Sequence, residues 1–291
     1  MLEKVIFYNY YGHGDLFTSR EFVKELMEKI PAEEYFFAHL RNPRVLLDIE
    51  NLQYMHPTDE MENGKAWKQT DGTLYINTWI GRDSKYVLPG IGCTVEQFHL
   101  MYTHYAQEMN IPPFTKGMRE YIPSINYGYF HIAAEEYFLL RHPGPRVLIC
   151  NEWVGSSQAD NFDMAPIISR IARAYPKIQF FMTKDIGYRF DNLRYTGDLI
   201  EAPDGFDLVE ISYLSRYCDL IIGKCSGPHV HTMVRENCMD SKKTNLSFTY
   251  NRNAEHFVKL TDIPMRKIWS PAVKEGPVYS IIKGTIEQCL Q

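Results

Sequence analysis

Apolar positions along the chain alternate between short continuous runs and helical spacing, a rhythm that predicts an α/β protein. Lys4 to Tyr8 is β-branched and aromatic and reads as a strand. A Tyr11-Gly12-His13-Gly14-Asp15 loop follows. Phe22, Val23, Leu26, Met27 and Ile30 then recur at helical spacing, with Thr18 or Ser19 as the expected cap and Pro31 as the stop. Glu34 to His39 supplies the next strand, so a βαβ unit with parallel strands is expected to open the chain. Shorter strands are predicted at Val45 to Ile49 and, after an Asp71-Gly72 turn, at Thr73 to Asn77. Val95, Phe98, Tyr102 and Tyr105 mark a helix.

His142-Pro143-Gly144-Pro145 breaks any preceding helix and joins a sheet poorly, which makes it the best linker in the chain. After it the βα rhythm restarts. A strand at Arg146 to Cys150 leads through a polar loop to a helix carrying Met164, Ile167, Ile168 and Ile171, then to a strand at Ile178 to Met182. A short strand near Leu193 to Thr196, a helix from about Leu208 to Tyr217, a buried strand at Asp219 to Gly223 and a helix starting near Pro228 continue the series. Asn245 to Thr249 is expected to be the last strand, and Val278, Ile281, Ile282 and Ile286 form the apolar stripe of a final helix that can pack on either domain. The expected architecture is two Rossmann-like domains facing across a cleft, residues 1–142 and 146–265, with 266–291 as a C-terminal helical segment.

Composition narrows the partners. A formal net charge of -5, spread along the chain, leaves no electrostatic footprint for nucleic acid or an anionic membrane. No apolar run approaches the roughly 20 residues of a membrane span, and Met1 to Phe7 reads into a strand rather than a signal peptide. A cytoplasmic protein is expected. The six cysteines form no CxxC pair, so neither a zinc site nor a disulfide framework is indicated. The 20 tyrosines, denser in the first half, fit either stacking surfaces for sugar rings or an aromatic-rich core.

The strongest candidate chemistry lies in Asp219-Leu220-Ile221-Ile222-Gly223-Lys224-Cys225-Ser226-Gly227-Pro228-His229. An apolar strand ends in glycine, and Pro228 stands where a first helical residue would, its missing N–H costing nothing there. The Ser226 and Gly227 N–H groups and His229 would then line an anion site at the sheet's carboxyl edge, unless the turn is only a tight link from strand to helix. Lys184, just past the strand ending at Met182, can meet a phosphate at that edge, and Arg20 can meet it from the first domain. Glu210, in the first turn of its helix, suits ribose hydroxyls. Ser156 and Ser157 lie in the loop after the Arg146 to Cys150 strand and can reach phosphate or sugar hydroxyls.

Asp207 to Glu210, followed by Cys218 to His231, resembles the C-terminal domain of GT-B glycosyltransferases, especially the bacterial ADP-heptose transferase family, with its Asp-x-x-Glu helix start and "ADLVVGNDSGP"-type run. The resemblance covers roughly residues 145 to 240 and, less fully, the N-terminal loop. Lys224-Cys225 replaces the common Asn-Asp, and either His229 or His231 stands for the family's histidine, which leaves the donor nucleotide open. The resemblance implies that Asp15, in the Gly-Asp loop after the first strand, is the base for the acceptor hydroxyl. His13 is the alternative, its ordinary pKa of about 6.5 suiting proton transfer near neutrality.

The sequence contains no Asp-x-Asp metal-diphosphate clamp, no GxxxxGK[ST] and no GxSxG. The missing Asp-x-Asp favours metal-independent transfer, and the resemblance implies an inverting glycosyltransferase that uses a nucleotide-sugar co-substrate without further cofactor. Its acceptor would be a glycan, a lipid-linked molecule or a small molecule, and it can be an oligomer. A nucleotide-sugar epimerase or hydrolase, or a non-catalytic nucleotide-sugar-binding module, would use the same donor site.

Overall fold

The computed structural model describes the chain except for residues 1, 82–84, 89–93, 131, 133–135, 137–138, 140, 156–158, 201, 203–204, 251–261 and 291. The chain forms two compact units, Met1–Tyr129 and Phe130–Gln291. The Pro-Gly run expected to be a linker falls inside the second unit, where the Arg146 guanidinium donates to the carbonyls of Leu139 (3.1 Å) and His142 (2.9 Å).

In the first unit, strands β1 (Leu2–Tyr8), β2 (Ala32–Ala38), β3 (Leu52–Met55), β4 (Trp67–Thr70) and β5 (Thr73–Asn77) form one sheet in the order β3-β2-β1-β5-β4. All neighbours are parallel except β4 and β5, a hairpin closed by Asp71 and Gly72, both at positive φ. The expected strand at Val45 to Ile49 is instead a 3₁₀ turn at Arg44–Leu46. Val45, Leu46 and Ile49 are all buried at the offsets of one helical face, so their β-branched character misled the strand assignment.

Helix α1 (His13–Lys29) starts five residues before the expected cap at Thr18 or Ser19. Those hydroxyls donate to the carbonyls of Gly14 and Leu16 inside the helix, at 2.8 and 2.9 Å. Asp15 caps instead, its carboxylate accepting the Gly12 N–H at 2.9 Å from the third helical position. Helix α2 (Val95–Met109), capped by Thr94, packs on α1 through aromatic rings. Phe22 stacks on Tyr121 at 4.3 Å and on Tyr102 at 4.8 Å, and Trp79 stacks on Phe98 at 4.9 Å. These tyrosines are core residues.

In the second unit, β6 (Arg146–Cys150), β7 (Gln179–Met182), β8 (Leu193–Tyr195), β9 (Leu220–Gly223), β10 (Thr244–Phe248) and β11 (Arg266–Ser270) form a wholly parallel sheet in the order β11-β10-β9-β6-β7-β8. Counted from β6, that is the 3-2-1-4-5-6 order of doubly wound nucleotide-binding sheets. The strands read as unbroken apolar runs because both faces are covered. Val147, Ile149, Leu220 and Ile222 face α3 (Ala165–Ala174) and α8 (Glu275–Cys289), while Leu148, Cys150 and Phe181 join Ile211 of α5 (Leu208–Ser215) in a separate buried cluster. Each fully buried large aliphatic side chain contributes about 1.5–3 kcal/mol. The last helix therefore belongs to the second unit, with Val278, Ile282 and Ile286 fully buried there. Asn245 to Thr249 is not the last strand: β11, whose residues are half-exposed and alternate poorly, adds an edge beyond it. Three short helices, α4 (Thr196–Leu199), α6 (Gly227–His231) and α7 (Arg235–Cys238), and 3₁₀ turns at Met118–Tyr121 and Tyr127–Tyr129 complete the described elements. Among the described residues, no helix is long and apolar enough to cross a membrane.

Candidate functional site

In an open parallel sheet, the strand order reverses where successive connections leave to opposite sides, and the loops there splay apart to leave a crevice at the carboxyl edge. In the second unit that point lies between β6 and β9, with Cys150 and Gly223 paired at its rim. The loops that follow them are Asn151–Gly155 and Lys224–Ser226, the segments singled out by the sequence.

The Lys224–His229 turn is held tightly. Cys225 has φ +54°, a left-handed conformation uncommon for a residue with a side chain. Its N–H donates to His229 Nδ1 at 3.0 Å, and His229 Nε2 lies 2.9 Å from the Asn245 side-chain amide. The His229 ring is fully buried against Gly223, where a Cβ would stand 2.3 Å from His229 Cγ. His229 thus shapes the turn, with both ring nitrogens engaged, rather than reaching outward as a phosphate ligand. His231 is likewise buried, its Nδ1 2.7 Å from the Gly227 carbonyl.

Ser226 is the N-cap of α6, and its Oγ is buried without a hydrogen-bond partner among the described residues. Gly227 is exposed and Pro228 half-buried beside it, so this turn does offer a hydroxyl and backbone N–H groups at the crevice. Lys224, which the sequence offered only as a departure from a family pattern, is buried at the same rim. Its ammonium lies 5.2 Å from the centre of the Phe162 ring. Burial holds its pKa below the ordinary lysine range, against the pull of Glu152.

Asn151 ties the two nearest loops together. Its Oδ1 accepts the Lys184 N–H and its Nδ2 donates to the Lys184 carbonyl, both at 2.9 Å. Lys184 itself is exposed just beyond β7. Glu152 accepts a short hydrogen bond from Thr183 Oγ1, while burial raises its carboxyl above the usual range. Asp207, at the start of α5, is also raised by burial, with Glu210 adding to the shift. Glu210 is buried in the first turn of α5. Ser156 and Ser157 lie outside the described residues.

The first unit has its own reversal point between β1 and β5, where Tyr8 pairs with Asn77. Asn9 Nδ2 donates across it to Thr78 Oγ1 at 2.8 Å, and Tyr102 and Tyr105 hold the Thr78 and Asn77 carbonyls at 3.1 and 3.0 Å. The loop after β1 runs straight into α1, so His13 and Asp15 stand in the first helical turn at that rim. Burial, with Arg41 and His39 nearby, pushes His13 down to about 4, and its Nε2 lies 3.2 Å from the Asn42 carbonyl. His39, also about 4, is pinned between the Tyr11 carbonyl and the Arg41 N–H. Both are neutral near pH 7, and His13 is a much weaker base than its residue type suggests.

Arg20 is engaged elsewhere. It is fully buried in a two-pronged pair with Asp48, at 3.1 and 2.6 Å, and also donates to the Val45 carbonyl. Asp48 in turn accepts the Asn126 N–H at 2.7 Å. That arrangement runs against the expected phosphate contact and makes Arg20 a tie between α1 and the 3₁₀ turn.

No protein-family model matches the sequence, and no curated protein does. Solved structures do match in fold. The family 9 glycosyltransferase of Veillonella parvula superposes with a TM-score of 0.60 at 9% identity, covering 99% of this chain and 97% of its own. The Escherichia coli heptosyltransferase WaaC, solved with ADP-2-deoxy-2-fluoro heptose, gives 0.52 at 8% identity over 98% and 99% of the two chains. The iron-containing dodecameric glycosyltransferase TibC from enterotoxigenic E. coli gives 0.50 at 11%, over 87% of this chain and 60% of its own. At such identities the likeness is one of fold: two α/β units of the GT-B glycosyltransferase type, as the resemblance of the Cys218 to His231 run implied.

Proposed function

We propose that the protein is an inverting, metal-independent glycosyltransferase. The second unit binds a nucleotide-diphosphate sugar at the β6/β9 reversal point. Ser226 and the Gly227 backbone hold the phosphates, with Lys184 at the rim and Glu210 turned to the ribose. Asp15 of the first unit takes the proton of the acceptor hydroxyl as that oxygen attacks the anomeric carbon. The bond from the anomeric carbon to the phosphate oxygen then breaks, and the nucleoside diphosphate leaves with the bonding electron pair. His13, held near 4, loses the match to neutral pH that its ordinary pKa of about 6.5 would give it.

The observation that carries this reading is the buried Ser226 hydroxyl, without a partner among the described residues, standing at the carboxyl-edge reversal point of a sheet with the 3-2-1-4-5-6 order. A buried hydroxyl left unmet costs about 1–3 kcal/mol, a penalty that a bound phosphate oxygen removes. The GT-B-type fold supports transfer over other uses of such a crevice. The ADP-sugar bound in WaaC makes ADP the first nucleotide to try.

A thermal-shift screen against ADP, UDP, GDP and CMP tests the donor site, because a ligand that binds only the native state at 100 times its Kd adds about 2.7 kcal/mol of stability. One nucleotide should raise the melting temperature by several degrees. A flat response to all four would refute the site. Binding without transfer to any hydroxyl acceptor would point to a nucleotide-sugar-binding module.

A further inference from the structure

The Lys224 side chain is 1% exposed, and its ammonium makes no hydrogen bond or ion pair among the described residues. Holding an ammonium largely out of bulk water without a counter-charge in contact is unfavourable. The Phe162 ring, 5.2 Å away, offsets only part of that. The acidic groups that sense the charge, Glu152 and Asp163, act without contact, and Lys184 opposes them. Glu152, Phe162 and Asp163 follow β6 and Lys184 follows β7, so the ammonium sits among the loops over the carboxyl edge.

Two residues further on is the Ser226 hydroxyl, buried and without a hydrogen-bond partner among the described residues. A cation and a hydroxyl left unmet at one rim call for the same complement, a ligand that brings several negative oxygens. A methionine of almost the same length would fill the Lys224 position and pack on Phe162 without the desolvation penalty. The charge is therefore kept at the expense of the empty protein's stability, as ligand-binding groups are.

We propose that Lys224 is the cation that neutralises the diphosphate of the bound nucleotide, and that it makes this crevice prefer nucleoside diphosphates to monophosphates. The inference rests on the donor site proposed above and assigns the charge within it. In a transfer reaction Lys224 would meet the negative charge that grows on the leaving diphosphate as its bond to the sugar breaks. The exposed Lys184 would act at longer range, through more solvent.

The test compares wild type, Lys224→Met and Lys184→Met by titration calorimetry with ADP and AMP, UDP and UMP, and GDP and GMP, alongside the melting temperature of each ligand-free protein. Wild type should prefer one diphosphate to its monophosphate. Lys224→Met should weaken that diphosphate by about 10–100-fold, the usual worth of a charge-assisted hydrogen bond, and the monophosphate far less. Ligand-free Lys224→Met should melt at or above the wild-type temperature, which a structural lysine would not allow.

Unchanged diphosphate affinity in Lys224→Met would overturn the inference while leaving the donor site intact. So would a loss of affinity accompanied by a lower melting temperature, because the lysine would then be serving the fold. If wild type binds none of the diphosphates, the donor site itself fails and the role of Lys224 fails with it.

Discussion

Gly223 offers a sharp test of how the phosphate turn is built. A Cβ at this position would stand 2.3 Å from His229 Cγ and 2.7 Å from its Cβ and Cδ2. Carbon atoms settle at about 3.5–4.0 Å, so something must move. The ring cannot retreat cheaply, since Cys225 N–H and the Asn245 amide hold its two nitrogens at 3.0 and 2.9 Å. Overpacking costs about 1–3 kcal/mol. Losing one or both hydrogen bonds in a fully buried place adds about 1–2 kcal/mol. Gly223→Ala should therefore destabilise the second unit by roughly 2–5 kcal/mol, lowering its melting temperature by on the order of 10 °C. The assay is urea and thermal unfolding of Gly223→Ala, His229→Ala and the double variant. With the ring gone, the added methyl group enters vacated space, so Gly223→Ala should cost less than about 1 kcal/mol in the His229→Ala background. A cost under about 1 kcal/mol in the native background, or equal costs in both, would refute the account of the turn.

Three further outcomes follow from the geometry. Asp15→Asn keeps an oxygen for the Gly12 N–H, so transfer should fall by about 10²–10⁴-fold with little change in melting, and a loss below about tenfold would move the base elsewhere. His13 and His39 stay neutral in the folded chain down to about pH 4, whereas the unfolded chain takes up their protons below about 6.5. The first unit should thus lose stability as pH falls from about 6.5 to about 4, by on the order of 1–2 kcal/mol per histidine after allowance for solvent screening. Urea melts of His13→Gln/His39→Gln across that window should show a flatter curve, and a curve parallel to wild type would count against the burial argument. Asn151→Ala removes two bonds to the Lys184 backbone, so it should cost about 2–3 kcal/mol and weaken diphosphate binding several-fold. Unchanged binding there would remove the Lys184 loop from the site.

What could be read from the chain beforehand was whatever burial imposes on a continuous stretch. Arg146 to Cys150 and Asp219 to Gly223 were legible because a sheet covered on both faces demands unbroken apolar residues. The reversal point they create follows from connection order, and the Ser226-Gly227-Pro228 punctuation marked its loop. Residues whose meaning depends on distant partners were not legible. Arg20 looked like a free cation because Asp48, its partner, stands 28 positions away with no periodicity joining them. His229 reads as a ligand in the sequence, whereas in the fold its ring is locked between Cys225 and Asn245. Lys224 stood in plain view but carried no signal, since burial and the want of a partner are properties of space rather than of spelling. The helix start at His13 was missed because its cap comes from inside the helix, through Asp15, rather than from a hydroxyl preceding it.

The pairing of β6 with β9 also governs when the crevice can exist. Arg146 N–H bonds Asp219 Oδ2 across 73 positions of chain, so the closure of β6 on β9 spans β7, β8 and the helices between them. Contacts so remote in sequence are slow to form, because the entropy of closing the loop is lost before the sheet rewards it. A growing chain that has reached only β8 has one wall of the crevice and no phosphate turn. Nucleotide capture by the second unit therefore reports the closure of β6 on β9, and a ligand present during refolding should act after that closure rather than before it.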